Sequence, residues 1–97
     1  MKNENSPLIK YTTLFSKQRE ASPLEVKIAF REALELFLEN SLNPHPSLRS
    51  HPLKEQFAGY QSIDVTGDWR ALFTVKESKT QTVITFHILG THAQIYG

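Results

Sequence analysis

The stretch "DWRALFTVKESKTQTVITFHILGT", Asp68 to Thr91, decides the fold. Two runs rich in β-branched and aromatic residues, 68–77 and 80–91, are separated by the turn-like Glu77-Ser78-Lys79. A third run, "GYQSIDVT" (59–66), precedes them across Thr66-Gly67. Strands this close in sequence pair antiparallel, so the spacing predicts a three-stranded meander. Alternation sets Trp69, Ala71, Phe73 and Val75 on a face that packs on helix, and Arg70, Leu72, Thr74 and Lys76 on the outward face. The same alternation turns His87 away from Phe86 and Ile88, which makes it a structural residue.

Upstream, "SPLE" (Ser22–Glu25) reads as a capping box, with Pro23 at the first helical position. Val26, Phe30, Ala33, Leu34, Phe37 and Leu38 follow at three- and four-residue spacing, which predicts a helix over 23–40 with one apolar face. Asn40, Pro44 and Pro46 end it. "LIKYTTLF" (8–15) reads as a first strand, and the short segment from there to Ser22 leaves a first helix around 16–21 reduced or missing. Residues 1–7 read as a disordered lead-in to a single domain spanning 1–97. The fold class is therefore α+β: an antiparallel sheet of about four strands with N-terminal helix on one face.

At 39% hydrophobic and 22% charged, the 97 residues have the balance of a globular chain rather than a disordered one. The absence of cysteine excludes disulfide and thiolate chemistry and fits a reducing cytoplasm. No apolar run approaches the roughly 20 residues of a membrane span, and "MKNENSPLIK" has no signal-peptide core. The net charge of +1 is unevenly spread: residues 20–40 carry five glutamates against Lys27 and Arg31, and the remainder is basic. An acidic middle and basic flanks suit one face meeting polyanion and another facing water.

The histidine pairs His45/His51 and His87/His92 have neither helical nor knuckle ligand spacing, so no metal or cofactor is expected. A glycine-rich phosphate loop and a nucleophile elbow are missing too. The candidates for chemistry are polar residues at strand ends: His51, Asp68, Arg70, His92 and Tyr96. Such a set holds the parts for metal-independent RNA cleavage. A base removes the 2′-hydroxyl proton, a cation stabilises charge on the phosphorus oxygens, and an acid protonates the departing 5′-oxygen.

"HPLKEQFAGYQSIDVTGDWRALF" followed by "ILGTHAQIYG" resembles the RelE superfamily of type II toxin–antitoxin toxins, most closely its YafQ-like branch. The residues that carry the resemblance are His51-Pro52-Leu53, Gly59-Tyr60, Asp68-Trp69, and Gly90-Thr91-His92 with Tyr96. It covers residues 48–97 well. The resemblance implies a RelE-like fold and a ribosome-dependent mRNA endoribonuclease, an mRNA interferase that leaves 2′,3′-cyclic phosphate and 5′-hydroxyl ends. It implies three partners: a cognate antitoxin, message in the ribosomal A site, and rRNA. By position, His51, Asp68 and His92 match ionisable residues needed for cleavage, Tyr96 matches the C-terminal aromatic, and Arg70 matches an arginine suited to bracing the phosphate. His92 is the expected acid, Asp68 or His51 the base, and the labels can be exchanged. Arg49, Lys54, Asp64 and Trp69 are further candidates for contact with RNA. The best-known member of the branch has a histidine where this chain has Asp64, whose charge would repel phosphate unless Arg70 or Arg49 compensates. Two other functions fit the same fold: a ParE-like toxin that inhibits gyrase by protein contact, and a degenerate toxin that retains only antitoxin binding.

Overall fold

The computed structural model describes residues 7–41 and 43–97; apart from Pro7, the expected lead-in lies outside them. Chain order is β1 (Leu8–Tyr11), α1 (Thr13–Ala21), α2 (Leu24–Glu39), β2 (His51–Pro52), β3 (Gln61–Asp64), β4 (Trp69–Glu77), β5 (Thr82–Thr91) and α3 (His92–Tyr96). The predicted meander is present as β3, β4 and β5, within a five-stranded sheet of order β1-β5-β4-β3-β2. Two features were not in the sequence reading. β1 runs parallel to β5, with Leu8 opposite Val83 and Tyr11 opposite Phe86, so the sheet is mixed. β2 adds a two-residue edge strand, His51 opposite Ser62.

The first strand is shorter than expected because Thr12 ends it. Its hydroxyl accepts from the Phe15 amide at 3.0 Å, capping α1, and donates to the His87 carbonyl of β5 at 3.0 Å. The helix expected to be reduced or missing is therefore nine residues long. Phe15 is its one buried residue, so it has no apolar stripe to read. Instead, the Gln18 side chain accepts from the Leu89 amide at 2.8 Å, and the Arg19 guanidinium lies 4.6 Å from the centre of the Tyr11 ring.

Ser22 corrects a second expectation. Its hydroxyl donates to the Arg19 carbonyl at 2.6 Å, so it closes α1 and forms no capping box with Glu25. α2 starts one residue later, where the Pro23 carbonyl accepts from the amides of Val26 and Lys27. Of its predicted apolar face, Val26, Phe30, Ala33 and Phe37 are buried, whereas Leu38 is exposed.

Phe86 is the meeting point of the core. Its ring centre lies 5.3 to 6.3 Å from those of Tyr11, Phe15, Phe30, Phe37 and Phe73. Next to it the ladder shifts: Leu72 pairs with Ile88 but Phe73 with Phe86, leaving His87 as the extra residue of a β-bulge. The bulge overturns the alternation expected beyond Phe86. Leu89, not Ile88, fills the next core position. On β4 alternation holds from Trp69 to Phe73, but Val75, expected to pack, is exposed where the strand runs past the core. Leu72 on the far face is fully buried rather than outward, beside the equally buried Ser62. Both faces of the sheet centre are thus covered.

Two stability measurements check this packing. Phe86→Ala should lower unfolding free energy by about 3–5 kcal/mol in denaturant titration, since it removes a large side chain with aromatic neighbours on every side. The Ser62 hydroxyl is buried with no hydrogen-bond partner among the described residues. Ser62→Ala should therefore be neutral or stabilising by up to about 1 kcal/mol, and a loss of similar size would mean the hydroxyl is paired in solution.

Candidate functional site

The hairpin joining β3 to β4 is closed by Thr66, whose hydroxyl accepts from the amides of Asp68 (3.2 Å) and Trp69 (3.1 Å). The Asp68 side chain projects, exposed, at its tip. The Asp68 carbonyl accepts from the His92 amide at 2.9 Å, which ties the hairpin tip to the start of α3. Thr91 caps α3 in a full capping box with Gln94, and the helix lies so close to Gly90 that a Cβ there would stand 3.1 Å from the Gln94 side-chain oxygen. One helical turn separates His92 from Tyr96, and their ring centres are 4.6 Å apart. Burial raises the Tyr96 hydroxyl above its usual range, and the nearby Arg70 charge opposes that shift. Asp68, Arg70, His92 and Tyr96 are thereby gathered at one end of the sheet.

Arg70 lies opposite Asp64 in the β3–β4 register, on the face away from the Ile63 and Ala71 core positions. Its Nε is 3.1 Å from Asp64 Oδ1, and both side chains are mostly buried, at 17% and 16% exposure. Arg70 Nη1 also donates to the carbonyls of Thr66, Gly67 and Trp69. The second Asp64 oxygen lies 3.5 Å from Nε of Arg49, whose side chain is 76% exposed. The compensation expected for Asp64 therefore comes from both arginines together.

His51 stands apart from this cluster. It lies two strands from β4, beside the row Ser62–Leu72 rather than the row Asp64–Arg70. That places it roughly 10 Å across the sheet and about 7 Å along it from Arg70. Its Nδ1 is 2.8 Å from the Arg49 carbonyl. A carbonyl only accepts, so Nδ1 carries a proton, and Nε2 is the ring nitrogen left free of that bond. Lys54 is exposed at the start of the 3-10 turn Glu55–Phe57. Trp69 departs from its expected role: it packs against the core on the helical side, in a cleft with Gln18, Ala21 and Gln94, on the opposite face from Arg70.

Two residues that sequence reasoning passed over join the site. The Phe57 ring meets Tyr96 at 5.6 Å and Tyr60 at 6.2 Å, edge to face, and Tyr60 meets His87 at 5.0 Å. Tyr60 was read only as part of the Gly59-Tyr60 motif and Phe57 not at all; Gly59, with a positive φ of 92°, turns the chain between them. His87 itself is packed rather than presented. Its Nε2 lies 2.9 Å from the Thr74 hydroxyl, and burial lowers its proton affinity. Among the described residues there is no group of three or more His, Cys, Asp or Glu that could hold a metal, and no helix long and apolar enough to cross a membrane.

No family model matches the chain. It is 28% identical over 92 residues to the mRNA interferase toxin YafQ of Escherichia coli (strain B / BL21-DE3), covering 92% of this chain and 95% of that protein. The crystal structure of YafQ from E. coli strain BL21(DE3) superposes with a TM-score of 0.73 at 23% identity, over 94% of this chain and 99% of that one. The toxin in the E. coli DinJ–YafQ toxin–antitoxin complex gives 0.71 at 23% identity, over 95% and 99%. A YoeB/ParE toxin from Agrobacterium tumefaciens gives 0.71 at 16% identity, over 88% and 98%. The sequence likeness to YafQ runs nearly end to end and the architecture is shared, so the chain has the fold of these toxins and is similar to YafQ in sequence.

Proposed function

We propose that this protein is the toxin of a type II toxin–antitoxin pair, a metal-independent endoribonuclease that cuts message in the ribosomal A site in the cytoplasm and is held inactive by a cognate antitoxin. The observation that carries this reading is the clustering of Asp68, Arg70, His92 and Tyr96 at one sheet end, with His51 roughly 10 Å away across the sheet. In the proposed reaction the 2′-hydroxyl loses its proton to Asp68 or His51 and attacks phosphorus. The bond from phosphorus to the 5′-oxygen breaks, and His92 supplies that oxygen with its proton. The products are a 2′,3′-cyclic phosphate and a 5′-hydroxyl. In this reading Arg70 stabilises charge on the nonbridging oxygens, and Tyr96 offers a ring for a base to stack on. Arg49 and Lys54 provide exposed positive charge along the same approach.

Inducing the protein in cells and mapping message ends tests the reading. Codon-positioned cuts should appear and should fall by about 100-fold or more in His92→Ala, the scale of losing an acid catalyst. Growth arrest with intact message would point to gyrase inhibition, and neither arrest nor cuts to a chain that only binds antitoxin.

Asp64 gives a second test. Its carboxylate competes with incoming phosphate for Arg49 and Arg70. Asp64→Asn should tighten binding of a short single-stranded RNA by about 3- to 10-fold at low salt, and the gain should shrink as salt rises. Fluorescence anisotropy measures it. Weaker binding would show instead that the carboxylate holds Arg70 in its working pose.

A further inference from the structure

We infer that Phe57 is a positioning residue: it props Tyr96, and through Tyr96 the His92 ring, against the loop that carries His51 and Lys54. This rests on the ribonuclease reading for its catalytic consequence, though not for its structural one. α3 is five residues long and buries none of them. A helix so short does not hold itself in water. Its hydrogen-bonded tie to the rest of the fold is at its first turn, the His92 amide on the Asp68 carbonyl beside the Thr91–Gln94 box, and Ile95 packs against Gly90. At the last turn, where Tyr96 sits, the Gly97 amide donates back to Ala93 within the helix. Among the described residues, Phe57 is the one aromatic residue outside α3 whose ring meets Tyr96.

Phe57 is itself rigidly held. The loop 53–60 is closed by amide–carbonyl bonds from Leu53 to Tyr60 (2.9 Å), Phe57 to Lys54 (3.1 Å), Ala58 to Glu55 (2.9 Å) and Tyr60 to Phe57 (3.0 Å). Glu55 is kept at a φ of 58°, a left-handed conformation that a glutamate adopts only where its surroundings fix it. Behind Phe57, the Tyr60 ring abuts His87, which is pinned by Thr74 and Thr12 to the middle of the sheet. A continuous line of ring contacts therefore runs from the central strands through Tyr60 and Phe57 to Tyr96 and His92. The His51 side of the site and the His92 side meet through this line.

The test has two arms on the full chain. In cleavage assays Phe57→Ala should lower kcat by about 10- to 100-fold with KM within about 2-fold, as displacement of an oriented catalytic group does. Phe57→Tyr, which keeps the ring, should restore most of the rate. Adding Tyr96→Ala to Phe57→Ala should cost little beyond the larger single loss; full additivity would overturn the proposal. The second arm needs no catalysis. Amide hydrogen exchange at Gly97 should accelerate by about 10-fold in Phe57→Ala while exchange at Phe86 is unchanged. An unchanged Gly97 rate would refute the prop. If the parent protein cuts no RNA, the ribonuclease reading fails and the exchange result still decides the role of Phe57.

Discussion

The pairing of β5 on both of its edges is the constraint from which the rest of the molecule follows. One edge carries β1 in parallel and the other β4 in antiparallel register, and Phe86 projects from the middle of that strand into a ring of five aromatic neighbours. The bulge at His87 resets the strand just beyond that point. Without the extra residue, Leu89 would leave the core and Gly90 would exchange faces. The close seat of α3 on Gly90 would be lost with it. The local twist of one residue thus sets where the His92 and Tyr96 side chains emerge.

Around the site the electrostatics are those of a clamp already partly closed. Asp64 occupies the Nε edge of the Arg70 guanidinium, and three carbonyls surround its Nη1. This fixes the plane of the guanidinium before substrate arrives, and leaves fewer donors unclaimed. Arg49, paired with the same carboxylate, is the more exposed partner of the two. Its main-chain carbonyl holds the Nδ1 proton of His51, so one residue touches both the Asp64 carboxylate and the His51 ring.

Much of this was legible in the sequence, for physical reasons that separate what was read from what was not. The apolar spacing from Val26 to Phe37 and the alternation of Trp69, Ala71 and Phe73 report burial on one face, and both elements formed as read. α1 was hidden because it is held by long-range polar contacts, Gln18 to Leu89 and Arg19 to Tyr11, that leave no periodicity. Ser22 and Pro23 match a helix start, but the same hydroxyl found a nearer acceptor in the helix before it. The bulge and the two-residue β2 are set by register, which alternation cannot show. Among the candidate residues, Asp68, Arg70, His92 and Tyr96 came together because strand ends and a helix start converge there. Trp69 went to the other face, as its place in the alternation required. Phe57 was missed because a loop aromatic carries no pattern of its own.

The parallel partnership of β1 and β5 also sets an order on how the chain can acquire its shape. β5 is the second strand of the sheet in space but its last in sequence, and the Thr12 hydroxyl finds its acceptor 75 residues downstream. As the polypeptide emerges from its N-terminus, β1 and α1 lack the strand they are tied to until β5 is made. Contacts of this separation carry a high loop-closure cost and are made late. The hairpin of β4 and β5 can form locally, and the N-terminal segment must then dock on its free edge. Part-made chains consequently lack both the aromatic core and the sheet end where Asp68 meets His92, so the fold and its candidate site are completed in the same closing step.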